Sequence, residues 1–406
     1  MVDWNRHYAG RASRMGASEI RELLKLLDQP DIISFAGGIP DPALFPTSAI
    51  AAAHSRILSD PVRARIALQY SVSEGYLPLR QWIAGYMSGL GSACSAEHIL
   101  ITSGSQQALD FIGKLLVAPG DQVLTARPTY LGALQALSAY EPSYGLLPRR
   151  GDNREATAPA QPGRATALGY VMPDFENPTG ISLDLPARQA LLAAAAALDL
   201  PLIEDAAYEA LRYDGEALPS LLALESARTG DIDQGRVVYC GTFSKTVVPG
   251  LRLGWVVAPV PVIRRLVLIK QASDLHTQTL SQMVMQEVAA ETFPDCLGPI
   301  RATYRARRDA MLAALSAAMP MGVSWTRPQG GMFIWLTLPA GSDAAVLLQQ
   351  AVSEARIAFV PGRAFHADGS GANTLRLSFS RAEPVQITEG IGRLGALLRR
   401  QAQSAA

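Results

Sequence analysis

Apolar residues between about residue 98 and residue 260 are distributed as short buried strands that alternate with longer helices. The predicted strands are apolar on both faces and cover residues 98–102, 122–125, 167–172, 202–204, 237–240 and 253–258. Alanine- and leucine-rich segments such as residues 105–116 and 186–198 lie between them and are typical of helices. This alternation predicts an α/β fold with a mostly parallel sheet covered by helices, in which ligands bind at the carboxyl ends of the strands.

The pattern changes after Pro294. A charged helical segment at residues 300–319 is followed by strand-like segments at 330–335 and 373–378, which indicates a second, α+β part. Residues 18–27 are predicted to be helical and to pack with this C-terminal part. We therefore expect a large domain at residues 46–290 and a small domain formed by residues 1–45 together with residues 291–406.

Composition excludes several classes of protein. The chain has 406 residues, a net charge of zero and a pI near 7.0, so nothing in it favours nucleic acid or an anionic membrane. The three cysteines are far apart, and the five histidines lack metal-ligand spacing, so neither a disulfide framework nor a metal site is expected. The N-terminus lacks the apolar core of a signal peptide, and these features together predict a cytoplasmic protein.

Lys245 is the residue on which the chemistry is expected to depend. A β-branched, aromatic strand at 237–239 leads through small residues into a Gly/Ser/Thr turn that carries it. Only four of the 36 basic residues are lysine. A lysine kept in this turn, where arginine is otherwise the usual basic residue, indicates that an amine able to lose its proton is needed there. Burial would lower its pKa, and a neutral amine can form a Schiff base with an aldehyde cofactor. On this ground alone, the lysine could equally cap a helix or lie on a surface turn.

Two further segments follow predicted strands and carry polar side chains. Ser105 and Gln106 start a helix in the sequence Thr-Ser-Gly-Ser-Gln-Gln, where N–H groups and hydroxyls favour a phosphate, although serine there is commonly only a cap. Asp205 follows the strand at 202–204 and can keep a pyridinium nitrogen protonated, or it can simply cap the next helix. Tyr208, three residues on, can donate a hydrogen bond to a ring oxygen.

Three more candidates have weaker local support. Asn177 belongs to an Asn-Pro-Thr-Gly turn, and Tyr130 offers an aromatic face on which a ring could stack. Arg376 interrupts the apolar sequence Leu-Arg-Leu-Ser-Phe-Ser. If it points inward it needs a planar anionic partner such as a substrate carboxylate; if it points outward it is an ordinary surface charge.

In this order, the motifs resemble those of the fold-type I pyridoxal 5′-phosphate (PLP) aminotransferases. The similarity runs over nearly the whole chain through Ser-Gly-Ser-Gln-Gln, Tyr130, Asn-Pro-Thr-Gly, Asp205-x-x-Tyr208, Ser244-Lys245-x6-Arg252 and Arg376. Segments 33–40, 68–75 and 274–277 are similar to the 2-aminoadipate aminotransferase branch, which includes LysN-type and kynurenine aminotransferase II enzymes. The resemblance implies a large PLP-binding domain and a smaller α+β domain.

The resemblance also implies a role for each residue. Lys245 is expected to bind the cofactor covalently and to shuttle protons, while Asp205 pairs with the pyridine nitrogen. Asn177 and Tyr208 would contact the ring oxygen, and Tyr130 would stack on the ring. The phosphate would be held by Ser105, Gln106, Thr242, Ser244 and Arg252, and by Tyr70 from the partner subunit of a homodimer. The substrate would be bound by Arg376 at its α-carboxylate, by Asn177 and Gly38, and at its side chain by Ser18 and Arg21 of an N-terminal recognition helix.

The expected function is a ping-pong transamination. It moves the amino group of an L-amino acid of the 2-aminoadipate, glutamate, leucine or aromatic type to a 2-oxo acid, with 2-oxoglutarate as the expected acceptor. The alternative is a PLP-dependent lyase or racemase on the same fold, against which Arg376 and the N-terminal segment argue. Glu176 stands where relatives often have glutamine, which predicts a site less favourable to a distal carboxylate.

Two other classes are disfavoured. Some transcriptional regulators carry an aminotransferase-like domain behind a winged helix, but here the aminotransferase-like pattern begins near Phe35 and the net charge is zero. A cofactor-free interaction protein is disfavoured because Lys245, Asp205 and Arg252 are all present.

Overall fold

A computed structural model describes residues 1–14, 31–147, 165–293 and 295–405. The α-helices are Thr47–Ser59, Pro61–Ala67, Leu77–Gly89, Ser105–Leu116, Leu131–Ser138, Leu185–Ala197, Leu221–Thr229, Val260–Ser273, Thr279–Thr292, Leu297–Ala318, Ala344–Gln350 and Pro384–Ala405. The strands are β1 (Ile33–Ser34), β2 (Ile99–Thr102), β3 (Gln122–Thr125), β4 (Ser143–Leu146), β5 (Thr166–Val171), β6 (Leu202–Asp205), β7 (Val237–Thr242), β8 (Gly254–Val257), β9 (Ser324–Trp325), β10 (Phe333–Thr337), β11 (Ile357–Ala358), β12 (Val360–Pro361) and β13 (Thr374–Ser378).

A seven-stranded sheet of order β2-β8-β7-β6-β5-β3-β4 forms the centre of the fold. All neighbouring strands in it are parallel except β8, which is antiparallel to both β2 and β7. Strands β2, β6, β7 and β8 are buried along their whole length, which explains their continuous apolar sequences. The α/β class and the mostly parallel sheet are therefore as predicted.

The predicted elements of this sheet are confirmed with small shifts at their ends. Each of the six predicted strands is present within two residues of its predicted bounds, and the helix Ser105–Leu116 has the predicted bounds. Strand β4 was not predicted, because its sequence Ser-Tyr-Gly-Leu is half-buried at the sheet edge and lacks a strong apolar signal. The predicted helix at 18–27 lies outside the described residues.

The C-terminal part has its own antiparallel sheet of order β12-β13-β10-β9. The N-terminal strand β1 pairs in parallel with β11, so residues near 33 pack on this C-terminal part. Phe35 extends the connection, because its N–H donates to Ala358 O at 2.7 Å and its carbonyl accepts from the N–H of Ser378 at 2.8 Å. Residues 36–38 are thereby brought to the junction between the two sheets.

The strand directions decide where a ligand can bind. Since β8 is antiparallel to its two neighbours, β2 runs in the same direction as β7, β6, β5 and β3. The carboxyl ends of these five strands therefore meet at one edge of the sheet, where loops form a crevice. No described helix has the length and apolar character needed to cross a membrane.

Candidate active site

Most of the described residues that were predicted from sequence lie at the carboxyl edge of the large sheet. Ser105 and Gln106 follow β2, Tyr130 follows β3, and Asn177 follows β5. Asp205 ends β6, and Thr242, Ser244 and Lys245 lie at and after the end of β7. Arg252 comes two residues before β8, which starts at the same edge because it runs the opposite way. The topology thus gathers residues that are far apart in sequence.

Asp205 is a buried carboxylate with an exposed fraction of 1%. Its Oδ2 accepts a hydrogen bond of 2.8 Å from the Tyr170 hydroxyl, and its Oδ1 accepts a longer one of 3.3 Å from the N–H of Ala207. Burial raises the pKa of Asp205 to about 6, against the opposing effects of the two hydrogen bonds and of the charge on Lys245. A cation such as a protonated ring nitrogen would stabilise this carboxylate.

Lys245 lies in the turn after β7 and is half-buried, so it is neither a helix cap nor a solvated surface residue. Its Nζ donates to the carbonyl of Gly38 at 3.1 Å and lies 5.9 Å from the centre of the Tyr208 ring. Burial lowers the pKa of Lys245 to about 8, and the charges of Arg252 and Arg376 act in the same direction while Asp205 opposes them. A substantial fraction of the amine is therefore neutral near physiological pH, as nucleophilic and base chemistry requires.

Small residues and hydroxyls form a cup near Arg252. The Thr242 hydroxyl accepts from the N–H of Ser244 at 3.1 Å and donates to Leu253 O at 3.2 Å, which orders the turn after β7. Gly104 has a φ of +85°, and a Cβ at this position would lie 2.4 Å from Arg252 Nη2. The positive φ therefore favours glycine here, and a Cβ would displace the guanidinium of Arg252 from its present position. Ser105, the next residue, starts a helix whose N-terminus favours an anion.

Arg376 points inward, as predicted, with an exposed fraction of 1%. Its guanidinium lies 4.2 Å from the ring centre of Phe333 and 5.0 Å from that of Phe365. Nη1 donates to Asn177 Oδ1 and Nη2 to Ala36 O, each at 2.7 Å, while Nε has no hydrogen-bond partner among the described residues. Both acceptors are neutral, so the buried charge is suited to bind a substrate carboxylate.

Two tyrosines of the candidate site have raised pKa values. The pKa of Tyr130 is raised to about 12, mainly by burial; the charge of Asp205 raises it further, while Arg376 and Arg252 act to lower it. Burial likewise raises the pKa of Tyr208, whose hydroxyl interacts with Asn177. Both tyrosines thus remain protonated hydrogen-bond donors at neutral pH.

Tyr70, which was predicted to hold the phosphate from the partner subunit, is not part of this cluster in the single chain. It has an exposed fraction of 79%, and its ring centre lies 6.0 Å from that of His276. Ser18 and Arg21 lie outside the described residues, so their predicted roles remain predictions. The sequence also missed participants, namely Tyr170, Phe333, Phe365 and the carbonyls of Ala36 and Gly38. Tyr170 had a usable signal, because a tyrosine in an apolar buried strand needs a partner for its hydroxyl.

The set of side chains fits PLP. A buried carboxylate, an amine with a lowered pKa and an anion cup on a helix N-terminus match a pyridine nitrogen, an aldehyde and a phosphate. The Arg376 guanidinium, with its orphaned Nε, adds a site for a substrate carboxylate.

Comparison with known proteins agrees with this geometry. The family Aminotransferase class I and II matches residues 30–394. The chain is 42% identical over 402 residues to the 2-aminoadipate transaminase of Thermus thermophilus, covering 98% of both chains. It is 39% identical over 409 residues to the aromatic-amino-acid aminotransferase 1 of Thermococcus litoralis, covering 98% of this chain and 96% of the relative.

A solved structure is equally similar. The crystal structure of LysN, an alpha-aminoadipate aminotransferase from Thermus thermophilus complexed with N-(5′-phosphopyridoxyl)-L-leucine, is similar to this chain with a TM-score of 0.89 and 40% identity. The similarity covers 99% of this chain and 100% of that chain. The chain therefore belongs to the class I and II aminotransferase family, with the fold-type I architecture and pyridoxal 5′-phosphate as its cofactor.

Proposed function

We propose that the protein transfers the amino group of an L-amino acid to a 2-oxo acid, with 2-oxoglutarate as the acceptor, in a ping-pong sequence. One observation carries the proposal, namely that Lys245, with its lowered pKa, lies among Asp205, Arg252 and Arg376. The matched family and the relatives named above are aminotransferases, and they give no support to the lyase or racemase alternative.

PLP supplies an electrophilic aldehyde and an electron-withdrawing ring when it is bound. Lys245 would hold the aldehyde carbon and, once displaced by the substrate amine, would accept and return the α-proton at its Nζ. The Gly38 carbonyl, 3.1 Å from Nζ, keeps the amine directed into the site. Because its pKa of about 8 is close to neutral, the amine can act as base and then as acid.

Asp205 would keep the ring nitrogen protonated, and the Tyr170 hydrogen bond supports its ionised form. Asn177 and Tyr208 would hold the ring oxygen, with Tyr130 stacked on the ring. Ser105, Gln106, Thr242, Ser244 and Arg252 would hold the phosphate.

We propose a homodimer in which Tyr70 completes the phosphate site of the partner subunit. Large apolar side chains close to Tyr70 in the sequence, Leu68, Val72 and Leu77, are exposed in the single chain, and so is Leu275 next to His276. Several exposed large apolar side chains in one segment are typical of a protein interface. They support burial against a second copy, which would also remove Tyr70 from solvent.

The substrate is proposed from the relatives and the site together. The two relatives named above act, by name, on 2-aminoadipate and on aromatic amino acids, so we propose a donor of the 2-aminoadipate, glutamate, leucine or aromatic type. Arg376 would bind its α-carboxylate beside Asn177 and Gly38, and Ser18 and Arg21 would meet its side chain. We further propose a large domain at residues 46–290 and a small domain formed by residues 1–45 and 291–406, which the pairing of β1 with β11 supports. We also propose a cytoplasmic location, which the three unpaired cysteines support.

Replacement of Lys245 tests the function. Lys245→Ala should abolish turnover, because neither the covalent attachment nor the proton transfer remains. Lys114→Ala, at an exposed lysine of the helix Ser105–Leu116, is the matched control and should retain full activity. Turnover of Lys245→Ala near that of the unchanged protein would refute the proposal.

The type of amino acid that the protein uses can be measured in the absence of a 2-oxo acid acceptor. Purified holoenzyme is mixed with single amino acids, and the decay of the visible absorption band of the cofactor is followed. Faster decay with 2-aminoadipate or glutamate than with leucine or phenylalanine would support a role for Arg21 in binding a distal carboxylate. The reverse order would identify a broad or aromatic aminotransferase and remove that role from Arg21.

A further inference from the structure

Lys270 is a fully buried lysine outside the site described above. Its Nζ donates to Gln107 Oε1 at 3.0 Å and to the two carboxylate oxygens of Asp274 at 2.9 and 3.0 Å. It also lies 5.8 Å from the ring centre of Phe111, in the helix Ser105–Leu116. Burial lowers the pKa of Lys270, and the hydrogen bond and charge of Asp274 act against this effect. A buried cation is costly unless it is paired, so this arrangement requires a physical reason.

The partners of Lys270 connect it to the loop after β2. Gln107 Oε1 accepts from the N–H of Ser103 at 2.9 Å, and Gln107 Nε2 donates to Asp274 Oδ2 at 2.8 Å. The Ser103 hydroxyl donates to the same Asp274 oxygen at 3.3 Å. Ser103 is therefore held both at its backbone and at its side chain by one closed network.

We infer that Lys270 and Asp274 are positioning residues that hold residues 103–105 in the shape that binds the phosphate of PLP. The inference rests on the phosphate-binding role proposed above for Ser105 and Arg252. Ser103 connects the network to both, since it lies two residues before Ser105 and its carbonyl accepts from Arg252 Nη2 at 3.4 Å. Lys270 and Asp274 act through the loop and the start of its helix.

Two explanations of how the Lys270–Asp274 pair acts, through its charge or by positioning the loop, predict opposite changes in phosphate affinity. Lys270 and Asp274 neutralise each other, so Asp274→Ala leaves Lys270, where it stays protonated, as an unbalanced positive charge behind the loop. If the pair acted only through its electric field, this variant would bind a phosphate more tightly. If the pair positions the loop, the variant binds the phosphate more weakly.

The experiment measures the dissociation constants of PLP and of pyridoxal, which lacks the phosphate, for the apoenzyme. Lys270→Met and Asp274→Ala should weaken PLP binding about tenfold, as loss of a supporting partner typically does, and should change pyridoxal binding by less than about twofold. Gln107→Met, which leaves the Lys270–Asp274 pair intact, should act in the same direction and serves if the other variants fold poorly.

Two reference variants separate the possible outcomes. Arg252→Ala tests the proposed phosphate site itself, and Arg393→Met breaks a surface ion pair with Glu389 and should change nothing. Unchanged PLP affinity in the Lys270, Asp274 and Gln107 variants, with weakened affinity in Arg252→Ala, would overturn this inference alone. Unchanged affinity in Arg252→Ala as well would overturn the phosphate site. Equal losses for PLP and pyridoxal, or tighter PLP binding by Asp274→Ala, would also overturn positioning.

Discussion

Arg376 and Asn177 are joined by a hydrogen bond of 2.7 Å from Nη1 to Oδ1, across 199 residues of sequence. The bond connects the group proposed to bind the substrate carboxylate with one proposed to contact the cofactor ring. Asn177 also acts to lower the pKa of Tyr208 against the larger effect of burial, so one amide influences both Arg376 and Tyr208.

This relationship predicts non-additive effects of substitution at the two positions. Arg376→Lys should lower kcat/KM by one to two orders of magnitude, roughly, because an ammonium cannot replace a two-pronged guanidinium contact. Asn177→Ala should cause a smaller loss, and the double variant should lose about 1 kcal/mol less than the sum of the two. Steady-state kinetics of the four proteins measure this coupling, and strictly additive losses would show that the bond has no role in turnover.

The pKa of Lys245 predicts the pH dependence of cofactor capture by the apoenzyme. Only the neutral amine attacks the aldehyde, and a pKa lowered to about 8 makes this form abundant well below the ordinary lysine value of 10.5. The rate of PLP capture, followed by rapid-mixing absorbance, should rise with pH up to about 8 and then level off.

Arg376→Leu tests whether neighbouring positive charge helps to lower the pKa of Lys245. It removes one of the two positive charges that lower the pKa of Lys245, so the midpoint should move to higher pH. A midpoint near 10.5 in the unchanged protein would contradict the structure.

Tyr170→Phe should narrow the pH range in which the apoenzyme binds PLP. The variant lacks the 2.8 Å hydrogen bond that favours ionised Asp205, so the pKa of Asp205 should rise above its value of about 6. Asp205 must be ionised to pair with the ring nitrogen, so binding is lost as pH falls through this pKa, and the loss should begin about one pH unit higher in the variant.

Tyr144→Phe is the matched control for this experiment. The Tyr144 hydroxyl donates to Leu134 O at 3.2 Å and not to a carboxylate. Its removal should therefore leave unchanged the pH at which PLP binding is lost on acidification. Identical binding profiles for Tyr170→Phe and the unchanged protein would show that Asp205 does not depend on this bond.

Glu176→Gln should change the preference among substrates. Glu176 is buried next to Asn177, and its Oε2 accepts from the Thr179 hydroxyl at 2.8 Å, a bond that a glutamine oxygen can also accept. Removal of the negative charge should raise kcat/KM for glutamate and 2-aminoadipate several-fold relative to leucine. Leucine, tested with the same preparations, is the internal control, and parallel changes for all three substrates would contradict the prediction.

The sheet and the residues at its edge could be predicted from sequence for a physical reason. Strands covered on both faces need continuous apolar runs, so β2, β3, β5, β6, β7 and β8 are visible in the pattern. Site residues follow the ends of these strands, which allowed Lys245, Asp205 and Ser105 to be recognised by position.

The interactions that orient these residues could not be predicted in the same way. Arg376 and Ala36 O are 340 residues apart, and Lys245 and Gly38 O are 207 apart. Each acceptor is a backbone carbonyl, which every residue has, so no residue type marks it. The network around Lys270 could not be predicted for a related reason. Lys270 hydrogen-bonds to Gln107 and Asp274, which are distant from each other in the sequence and carry no motif that marks them as partners.

The short stretch 36–38 has a consequence for protein engineering. Its carbonyls receive both the guanidinium of Arg376 and the amine of Lys245, and the pairing of Phe35 with Ala358 and Ser378 sets where those carbonyls lie. Side-chain libraries at these positions cannot remove the two acceptors, whereas deletion of one residue would shift both at once. Substitution is restricted as well, because Ala36 is fully buried and a Cβ on Gly38 would lie 2.6 Å from Cζ of Phe333, so the stretch is constrained in both length and composition.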